Sequence, residues 1–200
     1  MKCGKFYCLF IDFSKAFDRV NHTLLLYKLH SMGIRGKMYS ILHSMYGSVK
    51  ACVKSGNSIS SYFECPNGVR QGCILSPLLF SFFIEELNTM LSKSGHMGIQ
   101  LTQEFYNIFC LLYADDIVLF ADSARNLQRL INILLQFCTK WNMAINLDKT
   151  KVVIFRKGGH RSSFGNWYFA DSKIEIVSYY KYLGLLLSCR NSFSSKQAKP

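Results

Sequence analysis

The stretch that decides the fold is IFCLLYADDIVLFA, residues 108–121. Two apolar, β-prone runs, residues 108–113 and 117–121, flank the tripeptide Ala114-Asp115-Asp116. Short apolar runs separated by a few turn-forming residues are typical of a β-hairpin. We therefore predict a tight hairpin with buried strands and two carboxylates at its tip.

A third carboxylate follows another strand-like run. Residues 6–11 are continuously apolar and end in Asp12, as expected of a buried strand. If this strand is a sheet neighbour of the hairpin, Asp12 meets Asp115 and Asp116 at one edge. Such carboxylates repel one another unless cations neutralise them, and oxygen ligands suit Mg²⁺. Two ions about 3.5–4 Å apart would serve an in-line displacement at phosphorus. An Asp-Asp pair in a turn is also ordinary turn chemistry, so the hairpin alone leaves both interpretations open.

The rest of the chain alternates helix and strand signals. Capping residues mark helix starts, and apolar positions then recur at helical spacing. The resulting order fits an α+β architecture, an antiparallel sheet with helices packed on one face. We predict helices from Asn21 to about Gly33, after Gly36, from Ser76-Pro77 (with the Ser76 hydroxyl as cap) to about Leu91, and after Ser123; and strands at 49–54, 59–65, 152–155 and 182–187, with strand-like pieces near Tyr168 and Ile174.

Composition narrows the class of protein. Hydrophobic residues make up 50% of the chain, which argues against disorder. The formal net charge of +12 indicates a polyanionic partner, either nucleic acid or an anionic membrane surface. The most apolar stretch, residues 73–84, is interrupted by Ser76, Pro77 and Ser81 and is too short to span a membrane. The start of the chain also lacks the pattern of a signal peptide.

The cysteines indicate a reducing compartment. The eight cysteines show no C-x-x-C spacing, and Cys8, Cys110 and Cys138 lie within apolar runs. We interpret them as reduced core residues of an intracellular protein. A zinc site is the alternative, but no histidine pair matches a cysteine pair.

Five segments together point to a family. They are FIDFSKAFD (10–18), NGVRQGCILSPLLF (67–80), YADD (113–116), INLDKTK (145–151) and YLG (182–184). In this order they resemble motifs A to E of the reverse transcriptases of non-LTR retrotransposons, over residues 6–187. The resemblance implies a polymerase palm and RNA-directed DNA polymerase activity with two Mg²⁺ ions, or Mn²⁺ in their place. Group II intron maturases share the pattern more loosely and remain an alternative.

The resemblance also implies catalytic roles. The metal ligands would be Asp12, Asp115 and Asp116, together with the backbone carbonyl of Phe13. Lys149 would act at the pyrophosphate as a general acid or charge stabiliser, unless it belongs to a solvated charged turn.

Further roles concern the nucleotide and the primer. Phe17 would be the steric gate beneath the 2′ position of the sugar, unless it merely packs in the core. The remaining nucleotide contacts would be Arg70, Gln71 and Gly72, although Gly72 also suits a simple turn. The primer grip would be Tyr182, Leu183 and Gly184.

The family comparison also sets an expected organisation. We expect residues 1–188 to form the palm core and residues 189–200 a frayed polar tail. The fingers, most of the thumb and any endonuclease of the parent polyprotein would be missing. The expected partners are an RNA template, a DNA primer and deoxynucleoside triphosphates, with no membrane. The family's location is the nucleus and cytoplasm.

Two other function classes stay open. One is a non-catalytic nucleic-acid-binding remnant that keeps the palm fold, because intact carboxylates do not prove activity. The other is a cyclase or similar palm-like nucleotidyl enzyme. Gln71 and the 182–184 segment count against the second class, because a cyclase needs no primer grip.

Overall fold

The computed structural model describes residues 5–95, 98–100, 107–156 and 165–189. Within these ranges the helices are α1 (His22–Ser31), α2 (Gly36–Tyr46), α3 (Ser76–Lys93) and α4 (Ala124–Trp141), with a 3₁₀ turn at Phe17–Arg19. The strands are β1 (Lys5–Asp12), β2 (Lys50–Ala51), β3 (Lys54–Ser55), β4 (Ser58–Ile59), β5 (Phe63–Glu64), β6 (Ile99–Gln100), β7 (Asn107–Ile108), β8 (Cys110–Tyr113), β9 (Asp116–Ala121), β10 (Lys151–Arg156), β11 (Tyr168–Phe169), β12 (Ser172–Lys173), β13 (Glu175–Val177), β14 (Tyr179–Tyr182) and β15 (Leu185–Ser188).

A five-stranded sheet organises the fold, in the order β13-β10-β1-β9-β8. Its neighbours are antiparallel except for β13, which runs parallel to β10. A parallel pairing needs a crossover of a dozen or more residues, and the chain that includes β11 and β12 supplies it. The predicted α+β sheet is therefore confirmed, with one parallel edge strand that the sequence pattern did not indicate.

Alternation along β1 separates two apolar faces. Leu9 and Ile11 belong to the core beneath the helices, whereas Cys8 and Phe10 pack on the opposite face. Helix α4 packs on the first face through apolar residues that recur at helical spacing. The apolar positions Leu127, Leu130, Ile131, Leu134, Cys138 and Trp141 are all buried. The helices therefore occupy one face of the sheet, as predicted.

The starts of α1 and α4 match the capping predictions. The Asn21 side chain accepts a hydrogen bond from the Leu24 amide at 3.0 Å, and the Ser123 hydroxyl accepts one from the Asn126 amide at 3.2 Å. The prediction for Ser76 is wrong. Ser76 lies inside the first turn of α3, and its hydroxyl donates to the Arg70 carbonyl at 2.6 Å. The same hydroxyl therefore closes the preceding loop instead of capping the helix.

Two strand predictions also need correction. The segment 182–187 is not one strand, because Leu183 and Gly184 form the turn of the β14–β15 hairpin. Their φ angles of +45° and +82° suit the two-residue turn that favours tight hairpins. The two strands predicted at 49–54 and 59–65 are instead four short ones. Strand β2 pairs with β5, and β3 pairs with β4.

The cysteine and terminal predictions have mixed outcomes. Cys8 and Cys138 are buried with free thiols, whereas Cys110 on the edge strand β8 is only half-buried. Cys189 is bonded through its backbone to Ser178 and Arg156, so it belongs to the folded part. The rest of the predicted tail lies outside the described residues. Within the described ranges, no helix has both the length and the apolar character of a membrane span.

Candidate active site

The site is built around a pair of carboxylates that face each other. Asp12 ends β1, Asp116 begins β9, and the two are register partners. Residues directly opposite in an antiparallel pair have Cβ atoms about 4.5–5.5 Å apart and point to the same face. By alternation, this is the face of Phe10 and Val118, away from the helices. The sheet register therefore holds two carboxylates side by side.

Asp12 is held at its backbone by the 144–150 segment. Its amide donates to the Thr150 hydroxyl at 3.3 Å, and its carbonyl accepts from the Asn146 amide at 2.7 Å. Thr150 is fully buried, so this anchor is fixed within the core. An isolated bridge between Phe13 and Ile145 continues the pairing. Its hydrogen bonds use the Asp12 carbonyl and the Ser14 amide, and they leave the Phe13 carbonyl aside.

Asp115 lies in the turn between β8 and β9. Ala114 precedes it with φ +53°, a left-handed conformation that is uncommon for a residue with a Cβ. The Tyr113–Asp116 pair closes the hairpin, so Asp115 is directly adjacent to the Asp12–Asp116 pair. The three predicted carboxylates therefore converge at one sheet edge, as the sequence indicated.

The electrostatics of the cluster are unfavourable without a counterion. Burial raises the pKa of Asp116, and the neighbouring charges of Asp115 and Asp12 raise it further. Among the described residues, no three His, Cys, Asp or Glu side chains form a ready metal cage. The donor set nevertheless suits Mg²⁺, which takes only part of its shell from protein carboxylates and the rest from water and substrate phosphates.

Lys149 provides a cation at the site. Its ammonium lies 3.7 Å from Asp12 Oδ1, and its side chain is largely exposed. An exposed pair of this kind contributes little to stability, which leaves the ammonium able to exchange partners. Lys149 therefore lies in an exposed turn, and that turn places its ammonium beside Asp12.

A pocket of ≈ 500 Å³ opens in front of the carboxylates. One wall is the segment after β1, another is the 146–149 turn, and the third is the loop that precedes α3. The lining residues are Asp12, Phe13, Ser14, Lys15, Ala16, Phe17, Asp18, Gln71, Asp115, Asn146 and Lys149. Acidic, basic and aromatic groups thus converge on one cleft.

Phe17 and Gln71 face this pocket from two sides. The Phe17 ring stacks on Phe80 of the core, with centroids 4.8 Å apart, and also lines the pocket. It therefore has a packing contact and an exposed face together. Gln71 is held by a 3.2 Å hydrogen bond from its Nε2 to Asp18 Oδ1.

Two predicted nucleotide contacts are placed differently. The Arg70 guanidinium lies near the Met45 carbonyl at the end of α2, with Nη2 3.5 Å from the oxygen, and Arg70 is not among the pocket-lining residues. Gly72 also lies outside that lining. Its φ of +80° in open surroundings satisfies the needs of a turn. Of the three residues predicted in this loop, the structure brings Gln71 to the pocket.

The β14–β15 hairpin lies against the face that carries the carboxylates. Tyr182 is 5.6 Å from the Phe10 ring, and Tyr180 stacks on Phe10 at 4.4 Å. Burial raises the pKa of Tyr180, and the charges of Asp12 and Asp116 add to the effect. Burial and Asp116 likewise raise the pKa of Tyr182. The predicted primer-grip residues therefore belong to a hairpin seated close to the carboxylates, with Leu183 and Gly184 at its tip.

Sequence reasoning missed several residues that shape the site. Tyr180 donates its hydroxyl to the Lys149 carbonyl at 3.2 Å and so joins the hairpin to the 144–150 segment. Thr150 and Asn146 anchor Asp12, and Asp18 holds Gln71. No local signal distinguishes Tyr180 from Tyr179 in the sequence. A small polar residue such as Thr150 at a strand start was a usable signal for an anchor.

Comparison with known proteins identifies the family. The family model described as "Reverse transcriptase (RNA-dependent DNA polymerase)" matches residues 2–187. The chain is 31% identical over 180 residues to the transposon TX1 uncharacterized 149 kDa protein of Xenopus laevis, covering 90% of this chain and 14% of that protein. It is 29% identical to the RNA-directed DNA polymerase from mobile element jockey of Drosophila funebris, covering 89% of this chain and 19% of that protein.

Solved structures show the same fold. The structure of telomerase from Candida tropicalis in complex with the TWJ fragment of telomeric RNA matches with a TM-score of 0.68 and 15% identity. The match covers 97% of this chain and 30% of that chain. The protein belongs to the reverse transcriptase family, among the domains of non-LTR retrotransposons. It spans 14–19% of the length of the two relatives named above.

Proposed function

We propose that this chain is the catalytic core of an RNA-directed DNA polymerase that joins deoxynucleoside triphosphates to a primer 3′-hydroxyl. The observation that carries the proposal is the Asp12–Asp116 register pair, of which Asp12 lines the ≈ 500 Å³ pocket together with Asp115. Family membership supports the reaction class, and the pocket supports a substrate with an aromatic base, a sugar and phosphates. The RNA template and DNA primer are part of the same proposal.

Two divalent cations, Mg²⁺ or Mn²⁺, fit the donors at this edge. Asp12, Asp115 and Asp116 would hold them, with the Phe13 carbonyl as a further oxygen ligand. Burial raises the pKa of Asp116, and the charges of Asp115 and Asp12 raise it further; a bound cation would relieve that repulsion, which supports the assignment. When bound, the ions would supply activation of the 3′-hydroxyl and neutralisation of the departing pyrophosphate.

The side chains around the pocket divide the remaining work. Phe17 would lie beneath the sugar and exclude a 2′-hydroxyl, since its ring is fixed by Phe80. Gln71 would lie along the nucleotide or template strand. Lys149 would leave Asp12 for the pyrophosphate, because its present ion pair is exposed and weak.

The β14–β15 hairpin would hold the primer end. Tyr182 packs against Phe10, which lies two residues before Asp12. Strand β1 therefore positions both the primer-grip hairpin and the carboxylates. The charge of +12 would provide contacts to the phosphates of a template–primer duplex. We place the parent protein in the nucleus and cytoplasm, where a mobile element copies itself.

Primer extension on an RNA template tests the proposal, in a longer chain that adds the regions flanking this one in its relatives. Asp116→Asn should lower extension by at least about 10²–10³-fold, the loss typical of a missing electrostatic stabiliser. Its affinity for template–primer should stay within about twofold, a factor well below 1 kcal/mol. Asp171→Asn, an exposed acid in the β11–β12 turn, is the matched control. Equal extension by wild type and Asp116→Asn would show that the carboxylates are not the reaction centre.

A further inference from the structure

A buried histidine joins α1 to the loop that precedes α3, which forms one wall of the pocket. His22 begins α1, is only 4% exposed, and places its Nε2 2.7 Å from the Gly68 carbonyl oxygen. A carbonyl oxygen only accepts hydrogen bonds, so Nε2 must be the protonated nitrogen. The His22 amide donates to the Pro66 carbonyl at 3.0 Å. One residue therefore binds the 66–75 loop, which carries Gln71, at two points.

The neighbouring contacts make this attachment stiff. The Asn21 side chain caps α1 and also donates to Asn67 Oδ1 at 3.0 Å. The Tyr46 ring and the His22 imidazole pack edge to face, with centroids 5.1 Å apart. Because α1 is anchored by fully buried leucines such as Leu25, the imidazole extends from a rigid element.

The loop changes direction at Gly68, the residue that His22 holds. Gly68 has φ +98°, a conformation open to glycine, and its amide donates to the Val20 carbonyl at 2.8 Å. The Val69 amide donates to the Phe17 carbonyl at 2.9 Å. The far end of the loop is closed by Ser76 on Arg70. Gln71 follows Gly68 by three residues, so the Gly68 peptide sets how the backbone approaches the pocket, while Asp18 holds the Gln71 side chain.

We infer that His22 is a positioning residue that holds the Gly68 peptide and thereby sets the spacing between Phe17 and Gln71 across the nucleotide pocket. The inference rests on the proposed function for its consequence, which is nucleotide affinity. Loss of the Nε2–H donor leaves a carbonyl without its partner in a part-buried position. The loop should then sample other orientations while the hydrophobic core stays intact.

Amide hydrogen exchange on the 200-residue chain tests the attachment itself. We expect His22→Leu to speed exchange of the Gly68 and Val69 amides about tenfold, a factor that corresponds to about 1.4 kcal/mol. His22→Gln keeps a terminal N–H donor and should restore much of the protection. His30→Leu, the same change at an exposed site on α1, should leave the loop unchanged. Unaltered loop exchange, or an equal acceleration of the β1 and α3 amides, overturns the inference.

A measurement on the wild type covers the case in which His22→Leu fails to fold. Nitrogen-15 NMR of the His22 ring should find a proton on Nε2, the nitrogen that faces the Gly68 carbonyl. A proton on Nδ1 alone would leave no donor for Gly68 and would overturn the inference without any substitution.

Nucleotide binding tests the consequence without requiring catalysis. A dideoxy-terminated primer on an RNA template is titrated with the next complementary deoxynucleotide in Mg²⁺. His22→Leu should weaken nucleotide binding about tenfold, with template–primer affinity within about twofold of wild type. His22→Gln should lie between the two. Equal nucleotide affinity in wild type and His22→Leu overturns the positioning role. If wild type gains nothing from the complementary nucleotide, the proposed function fails for this chain, and the exchange experiment still decides the attachment.

Discussion

Asp12 and Asp116 face each other as register partners across β1 and β9, on the face of the sheet that also carries Phe10 and Val118. The register cannot slip by one residue, because a slip would turn Leu9 and Ile11 out of the helix-side core. The packing of the core therefore enforces a juxtaposition of like charges that the carboxylates alone would avoid. This coupling connects the fold to the chemistry proposed for it.

The Asp116 substitution should change stability as well as activity. The raised pKa of Asp116 means that the folded chain keeps this proton to a higher pH than the unfolded chain does. The stabilisation from the protonated form is present at low pH and is lost as pH rises through the raised pKa. Asp116→Asn should therefore increase the free energy of unfolding at pH 7 by up to about 1 kcal/mol, since solvent screens the pair.

Denaturant unfolding in EDTA measures this effect. The increase should vanish below the ordinary carboxylate range, where Asp116 is protonated in both states. Asp171→Asn, at an exposed acid, is the matched control. Added Mg²⁺ should stabilise the wild type more than the variant. A loss of stability in metal-free Asp116→Asn at pH 7 would contradict the repulsion argument.

Local sequence patterns predicted much of this site, and the failures share a cause. The 108–121 hairpin and the strand that ends in Asp12 follow from short apolar runs around acids, so their convergence was predictable. The direction of the Arg70 side chain depends on where α2 ends, and the Ser76 hydroxyl depends on where the preceding loop returns. The first contact joins residues that are distant in sequence, and the second depends on the geometry of a loop. Apolar periodicity encodes neither.

Hidden turns and buried polar groups were the other limit. The 182–187 segment has the composition of a strand, and a leucine does not predict the positive φ that Leu183 adopts. Lys28 in α1 is of a residue type that is usually exposed to solvent, yet it is buried. Its position depends on how α1 packs on α3, which the sequence of α1 alone does not contain.

Lys28 should produce a distinct stability change with pH. Burial lowers its pKa from 10.5 to about 8, partly offset by Glu86. Its ammonium donates to the Phe83 carbonyl at 2.5 Å and lies 4.4 Å from the Trp141 ring centroid. Between pH 8 and 10.5 the unfolded chain holds the proton that the folded chain has released, so this group's contribution to stability rises with pH.

Lys28→Met isolates that contribution, because Met keeps apolar contacts and does not titrate. Wild-type stability relative to the variant should rise by about 1–3 kcal/mol across the window, measured by denaturant unfolding. Cys110 and Cys138 have pKa values raised by burial to about 11 and about 12, which gives the opposite slope. That slope is present in both proteins and cancels in the difference. A constant difference from pH 8 to 10.5 would mean that Lys28 does not titrate there.

Phe17 should govern sugar discrimination. Phe17→Val removes a ring that faces the pocket, and a 2′-hydroxyl then has room. In an active, longer chain we expect ribonucleotide incorporation to rise about tenfold relative to deoxynucleotide, within the usual range for a change in pocket volume. Phe83→Leu, at a buried ring of the same helix that does not line the pocket, should leave selectivity unchanged. Unaltered selectivity in Phe17→Val would assign the ring to packing alone.

Nucleic-acid binding should weaken steeply with salt. Each phosphate neutralised on duplex DNA contributes about −0.9 to the slope of log affinity against log salt. Lys181 lies on β14 between Tyr180 and Tyr182 and points away from the sheet by alternation. If it contacts primer phosphate, Lys181→Ala should make the slope less negative by about 0.9, whereas Lys37→Ala on α2 should not. Fluorescence anisotropy measures the salt dependence of both variants from 50 to 300 mM salt, roughly the range over which phosphate contacts are screened. A flat response would exclude contacts to the nucleic-acid backbone.

The 200-residue chain alone should extend primers poorly. The basic side chains that line its pocket are Lys15 and Lys149, and Lys149 is already paired with Asp12. Charge that develops on a departing pyrophosphate needs several preorganised partners, and the loss of one typically costs about 10²–10³ in rate. Misplacement of a triphosphate by about 1 Å can cost a further 100-fold. The two relatives are about five to six times as long as this chain, because the 180 and 184 aligned residues are 14% and 19% of them, and they have room for further contacts.

Primer extension on an RNA template with Mg²⁺ measures the difference directly. The 200-residue chain is compared with a longer chain that adds the regions flanking it in its relatives, and with Asp12→Asn in that longer chain. We expect extension by the short chain to lie near the level of the Asp12→Asn control, and its template–primer complex to dissociate after few additions. Robust, processive synthesis by the short chain would show that the pocket formed by β1, the 66–75 loop and the 144–150 segment already contains what the reaction needs. In that case Lys15 and Lys149 would be sufficient to stabilise the triphosphate.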